Sequence, residues 1–329
     1  MDFLKAWTQL ERDAGSGTGR YRLRVHSETD LDLVAILDRP SGYVGLVLTA
    51  NDASVGRRRS YPATGAFRLR PERGASHTTS LVLLLEDARF RSVFGEMCTD
   101  ASRWCQMATT EAEAVDRLVD RVEFWKRMFV EGGPRPLTRE QQIGLFGELV
   151  VLEQTLEAGM GLMEAVDAWR GPARELHDFV GGVHMEVKTT VAPSPRVVRV
   201  SSLDQLQEDP SFELYLWHCR LESDDDGRTL AEIVDELAHQ AGDPLTRARA
   251  AFDGRLTQVG YLSIHRELYD VSCWALRAVE VHLIDASFPA LSRNSVPETI
   301  TEAEYSLDLR TVRGGVGGDP AGIIMKFVP

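Results

Sequence analysis

The segment 176–190 constrains the fold of this chain more than any other. It contains two short apolar stretches on either side of Gly181-Gly182, and the second stretch ends Glu186-Val187-Lys188. Since side chains alternate between the two faces of a strand, Glu186 and Lys188 would project to one face and the intervening valine to the other. We therefore predict a β-hairpin that carries a carboxylate and an amine side by side.

The register of this hairpin decides whether a second carboxylate faces the first. A two-residue turn would place Asp178 opposite Met185, on the wrong face of the hairpin. A three-residue loop, residues 181–183, would place Asp178 directly opposite Glu186, with about 5 Å between the Cβ atoms. We predict this longer, glycine-bulged turn, because it lets both carboxylates share one hard cation such as Mg²⁺ through oxygen ligands.

Lys188 is one of only four lysines among the 37 basic residues of the chain. Since arginine is the default cation here, a lysine beside the carboxylates indicates a need for a compact ammonium whose pKa can be tuned. Such a lysine can position or deprotonate an attacking water and stabilise charge developing on a phosphate. The structural alternative is a surface ion pair between Glu186 and Lys188, which would contribute little stability.

A helix is predicted immediately before the hairpin. Thr138 and Gln141 form a capping-box start, and apolar residues follow at helical spacing. Glu148 lies next to this apolar stripe, so it is a third candidate carboxylate; an exposed surface glutamate is the alternative. Gly144 and Gly147 each cost the helix roughly 1 kcal/mol relative to alanine, which is reasonable if the backbone must lie close to the sheet or to a ligand.

These residues resemble the PD-(D/E)XK nuclease superfamily, and more narrowly a bacterial PD-(D/E)XK family of unknown function that is often associated with restriction or phage-defence genes. The close similarity covers residues 138–205. It rests on four sequence words, Gly144-Leu145-Phe146-Gly147-Glu148-Leu149, Trp169-Arg170-Gly171-Pro172, His177-Asp178-Phe179 and Glu186-Val187-Lys188-Thr189-Thr190. One departure is that His177, rather than proline, precedes Asp178, which weakens the specificity of the motif more than its chemistry.

The resemblance implies a four-stranded mixed sheet flanked by helices and a site that uses Mg²⁺, for which Mn²⁺ can substitute. It implies that Asp178 and Glu186 bind the metal, that Glu148 joins them, and that Lys188 aids the attacking water. The expected activity is hydrolysis of DNA phosphodiester bonds by an endonuclease of a restriction or phage-defence system. Cleavage of RNA or nucleotides at the same site is a further reading, because a fold does not fix the substrate.

Glycines and prolines at 132–137 divide the chain, because they forbid continued helix. Residues 1–131 are predicted to form a small β-rich domain that recruits DNA or a partner. Its strands are predicted at 21–25, 33–37, 43–48, 66–69 and 81–85, followed by two closing helices at roughly 87–104 and 110–129.

Residues 138–329 are predicted to form an α/β (α+β) domain with a mixed sheet like that of restriction endonucleases. Helices are predicted at 138–157, 228–241 and 245–256. Strands are predicted within 176–189 and at 196–200, 213–221, 259–264, 272–284 and 305–311.

The net charge of −13 is unevenly distributed. Residues 1–137 contain 20 basic and 19 acidic residues, a balance of +1, and residues 138–329 contain 17 and 31, a balance of −14. An acidic domain would repel a polyanion in the absence of a partner. This favours an alternative function, a nuclease-fold subunit that binds DNA or assembles a complex without cutting; the presence of all four motif residues argues against it.

Several further polar residues are candidates for contact with nucleic acid. They are the basic cluster Arg57-Arg58-Arg59, Arg196 and Arg199 after the hairpin, and Gln205. A solvated loop, an exposed strand edge and the start of a helix explain them equally well or better. For His177 and His184, a structural or supporting role is favoured over metal ligation.

The chain has no apolar segment near the roughly 20 residues of a membrane helix, and its first residues do not follow the pattern of a signal peptide. We therefore expect a cytoplasmic protein without membrane contact. The expected partners are DNA and other subunits of a restriction or defence system, with a homodimer where both DNA strands are cut.

Overall fold

The chain divides into two compact units: residues 1–135 with 262–264, and residues 136–261 with 265–329. The computed structural model describes residues 2–26, 30–56, 60–130, 135–173, 175–193, 196–242, 246–312 and 318–328. The division at residue 135 falls within the expected linker 132–137, of which 132–134 lie outside the described residues. Each unit has its own apolar core.

The first unit contains a five-stranded antiparallel sheet with the order β1-β2-β3-β5-β4. The strands are β1 (Gly19–Arg24), β2 (Asp32–Arg39), β3 (Tyr43–Asn51), β4 (Phe67–Arg73) and β5 (Thr78–Leu85). All five strand predictions are confirmed. The three strands with continuous apolar sequence are central, and the two with alternating sequence are edges, as expected where only central strands bury both faces.

The helices of the first unit pack against one face of this sheet. They are α1 (Phe3–Ala14), α2 (Asp52–Val55), α3 (Arg91–Gln106) and α4 (Glu111–Val130), with a short 3-10 helix at Ala88–Phe90. α3 and α4 confirm the two predicted closing helices. α1 was not predicted, although its buried residues follow helical spacing, and its Trp7 donates a hydrogen bond from Nε1 to the Gly45 carbonyl at 3.0 Å.

The second unit contains a four-stranded mixed sheet with the order β10-β9-β7-β6. The strands are β6 (Phe179–Val180), β7 (His184–Ala192), β9 (Leu214–Thr229) and β10 (Cys273–Leu283), whereas β8 (Val197–Val200) and β11 (Tyr305–Asp308) form a separate antiparallel pair. β7 and β9 are parallel, and the other two pairs of the main sheet are antiparallel. The expected mixed α/β fold is confirmed.

The two faces of this sheet are covered differently. One face packs against the helices α5 (Arg139–Glu157), α6 (Leu162–Ala168), α7 (Leu230–Gln240), α8 (Arg247–Val259) and α9 (Pro320–Phe327). The other face packs in part against the β8–β11 pair, in a smaller cluster that includes Leu216 and Val198. Within the described ranges, no helix is both long and apolar enough to span a lipid bilayer.

The predicted strand at 259–264 is wrong. α8 continues to Val259 and ends at Gly260, whose φ of 90° stops the helix, and Ser263–Tyr269 forms a 3-10 helix. Tyr261 and Leu262 are buried, so the apolar signal was real. A short apolar run does not distinguish a strand from other buried backbone.

Two glycines of α5 have different surroundings. A Cβ atom at Gly147 would lie 1.9 Å from Thr189 Oγ1 on β7, whereas a Cβ at Gly144 would have no heavy atom within 4 Å. Close approach of the helix to the sheet therefore requires glycine at 147 and not at 144.

We expect Gly147→Ala to lower the free energy of unfolding by roughly 1–3 kcal/mol through overpacking. Gly144→Ala should raise it by up to about 1 kcal/mol through helix propensity. Urea unfolding of both variants measures the difference, and equal effects would contradict the proposed close approach.

Candidate active site

The hairpin of β6 and β7 has the predicted register. Val180 pairs with His184, so three residues form the loop and Asp178, immediately before β6, lies opposite Glu186. Asp178 Oδ2 accepts a hydrogen bond from the backbone N–H of Val187 at 2.8 Å. The two carboxylates are therefore fixed on the same side of the hairpin.

The loop glycines are required for a reason other than the predicted bulge. Neither Gly181 nor Gly182 has a positive φ. A Cβ at Gly181 would lie 2.6 Å from the Phe327 ring, and a Cβ at Gly182 would lie 2.3 Å from the Lys326 carbonyl oxygen. Gly182 also donates its N–H to the Phe327 carbonyl at 3.2 Å. Close packing against α9, rather than left-handed backbone, explains the glycines.

Glu186 and Lys188 share one face of β7, and the alternate residues Met185 and Val187 pack into the helix-side core. Lys188 Nζ lies 2.9 Å from Glu186 Oε1, and Gln205 Nε2 donates to the same oxygen at 2.5 Å. The other oxygen, Oε2, is buried without a hydrogen-bond partner among the described residues. At 2% exposure, Glu186 is not part of a surface ion pair.

Glu148 reaches the same site from α5. Its Oε2 accepts a hydrogen bond from the indole Nε1 of Trp169 at 2.7 Å. A Cβ at Gly171 would lie 2.8 Å from this oxygen and 2.7 Å from Asp178 Oδ1. Both carboxylates therefore lie against the same glycine, and Glu148 is not a remote surface glutamate.

Burial raises the pKa values of all three carboxyl groups. For Glu186, burial and the charge of Asp178 raise the pKa to about 8, against the opposing effect of Lys188. Burial and the charge of Asp178 also raise the pKa of Glu148 well above its usual value. The pKa of Asp178 is raised by burial although the Val187 N–H favours its charged form. The cluster has too little positive charge nearby to ionise fully near neutral pH.

The carboxylate oxygens of this cluster suit a divalent cation, although they are not arranged around a common point. Among the described His, Cys, Asp and Glu side chains, no three already form a group that could hold a metal ion. Glu186 Oε2 nevertheless has no partner, and Asp178 Oδ1 and Glu148 Oε2 converge on Gly171. Carboxylate oxygens are the ligands that Mg²⁺ prefers. The residues fit such an ion, and closing around it would require side-chain rotation.

Gly171 is expected to be intolerant of a side chain. The methyl group of Gly171→Ala would displace the Asp178 and Glu148 carboxylates, because its Cβ would lie within 2.8 Å of both. We expect the apparent affinity for Mg²⁺ to fall by about tenfold or more. The affinity is measured from the rise of the unfolding temperature with Mg²⁺ concentration. Gly144→Ala is the matched control. An unchanged Mg²⁺ titration in Gly171→Ala would exclude this convergence as a feature of the site.

The other candidate arginines lie in different surroundings. Arg196 Nη1 lies 2.6 Å from Glu280 Oε1, and Arg199, whose side chain is 76% exposed, pairs with Glu304. The cluster Arg57-Arg58-Arg59 lies outside the described residues. Contact of these arginines with nucleic acid therefore stays a prediction.

Gln205 contacts the Glu186 carboxylate and lies in a turn, not at a helix start. Its Oε1 accepts hydrogen bonds from the Ser201 N–H at 3.0 Å and hydroxyl at 3.2 Å, which orients its amide toward Glu186. His177 and His184 contact each other through Nδ1 atoms 3.1 Å apart, and the His184 ring stacks on Phe212. This favours a structural role for both histidines.

Trp169 and Gly171 are site residues whose roles the sequence did not reveal. The N–H groups of Arg170 and Gly171 donate to the Asp178 carbonyl at 2.7 and 3.0 Å, which ties this segment to the hairpin. The motif Trp169-Arg170-Gly171-Pro172 contributed to the family resemblance, but nothing in the sequence indicated what these residues contact.

A mixed four-stranded sheet, flanked by helices, that carries this hairpin defines a protein with a PD-(D/E)XK nuclease-like fold. The chain matches the family described as "Putative PD-(D/E)XK family member, (DUF4420)" over residues 3–310 and belongs to that family. The match extends through the first unit, well beyond the 138–205 segment that carries the close resemblance. No curated protein and no solved structure matches the chain.

Proposed function

We propose that this protein is a metal-dependent endonuclease that hydrolyses DNA phosphodiester bonds. The observation that carries the proposal is the cluster of Asp178, Lys188 and the buried Glu186 on one hairpin, with Glu148 beside it. Burying several carboxylates, one with an unpaired oxygen, opposes folding. A bound cation and the chemistry it supports would explain why the chain retains them.

Asp178 and Glu186 would hold the metal, and Glu148 would join them. Mg²⁺ suits these oxygen ligands, and Mn²⁺ can substitute for it. When bound, such an ion supplies Lewis acidity at a phosphate oxygen and a lower pKa for the attacking water.

The side chains of the protein would position the reacting groups. Lys188 would place its ammonium where negative charge develops on the phosphate, and would orient the attacking water by a hydrogen bond. Lys188 and Gln205 both hold Glu186 Oε1 and so leave Oε2 for a ligand. The Val187 N–H holds Asp178 by its Oδ2 and leaves Oδ1 toward Gly171.

A nuclease-fold subunit without cutting activity is the second candidate. The balance of −14 over residues 138–329 favours it, because a polyanion would be repelled unless a partner supplies positive charge. Such a subunit would bind DNA or its partners and would show no metal-dependent cleavage.

The family resemblance is the support for a proposed biological setting. We propose that the endonuclease acts on DNA in the cytoplasm as part of a restriction or phage-defence system, together with other subunits of that system. A homodimer would supply the two sites that cutting both DNA strands requires.

The test is cleavage of supercoiled, single-stranded and methylated plasmid DNA by the purified protein with Mg²⁺ or Mn²⁺. We expect nicking or linear product with either metal and none with EDTA. DNA binding without cleavage of all three substrates would favour the non-catalytic subunit instead.

A further inference from the structure

A second polar network lies beside Lys188 on the same face of the four-stranded sheet. Strand pairing places Lys188 opposite His218 on β9, and His218 opposite Glu280 on β10. Because neighbouring strands lie about 4.8 Å apart, this row extends about 10 Å from the lysine.

Two arginines converge on the far end of this row. Arg196 Nη1 and Arg220 Nη1 lie 2.6 and 3.4 Å from the same oxygen, Glu280 Oε1. Within the described ranges, Glu280 is the carboxylate that both arginines contact. Their side chains keep 36% and 24% of their area exposed, so N–H donors remain within reach of a ligand.

The network has an excess of positive charge. Arg196 and Arg220 contribute two positive charges, and Glu280 contributes one negative charge. His218 is fully buried, and burial lowers its pKa to about 4 against the opposing effect of Glu280, so it adds no charge at neutral pH. Its Nε2 is hydrogen-bonded to Thr190 Oγ1 at 2.9 Å, which ties the network to the strand that carries Lys188.

We propose that Arg196 and Arg220 form a subsite for a backbone phosphate of the nucleic-acid strand, beside the cleavage site. The N–H donors of a guanidinium group match the oxygens of a phosphate, and Glu280 holds both groups in place. A strand rises 3.4 Å per nucleotide along the axis of B-DNA, so a separation of about 10 Å places this subsite within a few nucleotides of the scissile phosphate.

This inference rests on the proposed function and adds the register of the substrate to it. It also explains how a domain with a charge balance of −14 could bind DNA. An acidic domain can bind a polyanion where cations line the path of that polyanion. Lys188 and this arginine pair would provide such a path on one face of the sheet.

The experiment is fluorescence anisotropy of a labelled 30-base-pair duplex with the full-length protein, in Ca²⁺ and over a series of KCl concentrations. Arg220→Ala and Arg196→Ala should each weaken binding about 5- to 20-fold and reduce the slope of log K against log salt by about 1. The matched control is Arg277→Ala, since Arg277 pairs with Glu222 across the same two strands; binding should stay within twofold of wild type.

The outcomes separate the two proposals. Cleavage and binding by wild type, with both arginine variants behaving like Arg277→Ala, would overturn the phosphate subsite and leave the nuclease intact. Absence of both DNA binding and DNA cleavage by wild type would overturn both. Thermal unfolding identifies a misfolded variant, and because Arg196 and Arg220 lie on different segments, the other variant would still test the subsite.

Discussion

Replacing Lys188 with alanine is expected to slow metal-dependent DNA cleavage by about 10²- to 10⁴-fold. The lost ammonium lies 2.9 Å from Glu186 Oε1, in the position from which it would contact both the attacking water and the phosphate. Lys188→Arg should not restore the rate, because a guanidinium is larger and planar and cannot take the position of a compact ammonium. The initial rate of plasmid nicking in Mg²⁺ measures the effect.

The control is Lys126→Ala, which removes a lysine paired with Glu123 on the surface of α4 and should leave the rate unchanged. Equal residual cleavage by wild type and Lys188→Ala would identify a contaminating nuclease. A rate in Lys188→Ala within threefold of wild type, with the activity traced to the protein itself, would remove Lys188 from the mechanism.

Replacing Glu186 with glutamine is expected to abolish cleavage and, in metal-free protein, to increase stability at pH 8 by on the order of 1–3 kcal/mol. The folded-state pKa of Glu186, about 8, lies above its usual value, so the folded protein binds more protons than the unfolded chain. In metal-free wild type, the contribution of Glu186 to stability is therefore greatest below about pH 4.5 and is lost as the pH rises through about 8.

Urea unfolding in EDTA at several pH values measures this dependence. The loss of stability should be shallower in Glu186→Gln, whereas Glu157→Gln, an exposed change at the end of α5, should follow wild type. Mg²⁺ should stabilise wild type by mass action and should not stabilise Glu186→Gln. Parallel pH curves, or an equal Mg²⁺ effect on both proteins, would contradict the metal-site assignment.

Counting along the hairpin predicted its register from the sequence. Because strand side chains have a period of two, a loop of three residues is needed to bring Asp178 opposite Glu186. The pairing of Val180 with His184 confirms this loop length. The capping box at Thr138 was also predictable, because its two hydrogen bonds join residues only three apart in the sequence.

Contacts between distant segments were not predictable from local pattern. Gly171 touches Glu148 and Asp178, but nothing in its own neighbourhood indicates this. The sequence pattern also led to the wrong explanation for Gly181, a bulged turn. The true explanation is close packing against Phe327, which belongs to a helix that the sequence pattern had not indicated. Local rules identified the strands apart from the one wrongly predicted at 259–264, and long-range packing determined what these glycines contact.

The contact of α9 with the hairpin loop also bears on how the protein folds. Asp178 and Glu186 can pair early, since they are close in sequence, but the Gly182–Phe327 hydrogen bond joins residues very far apart along the chain. Forming such a contact requires closing a long loop, which is slow compared with forming a hairpin. We therefore expect the Gly182–Phe327 hydrogen bond to form after the hairpin during refolding, and protection of the Gly182 amide from hydrogen exchange would report when it forms.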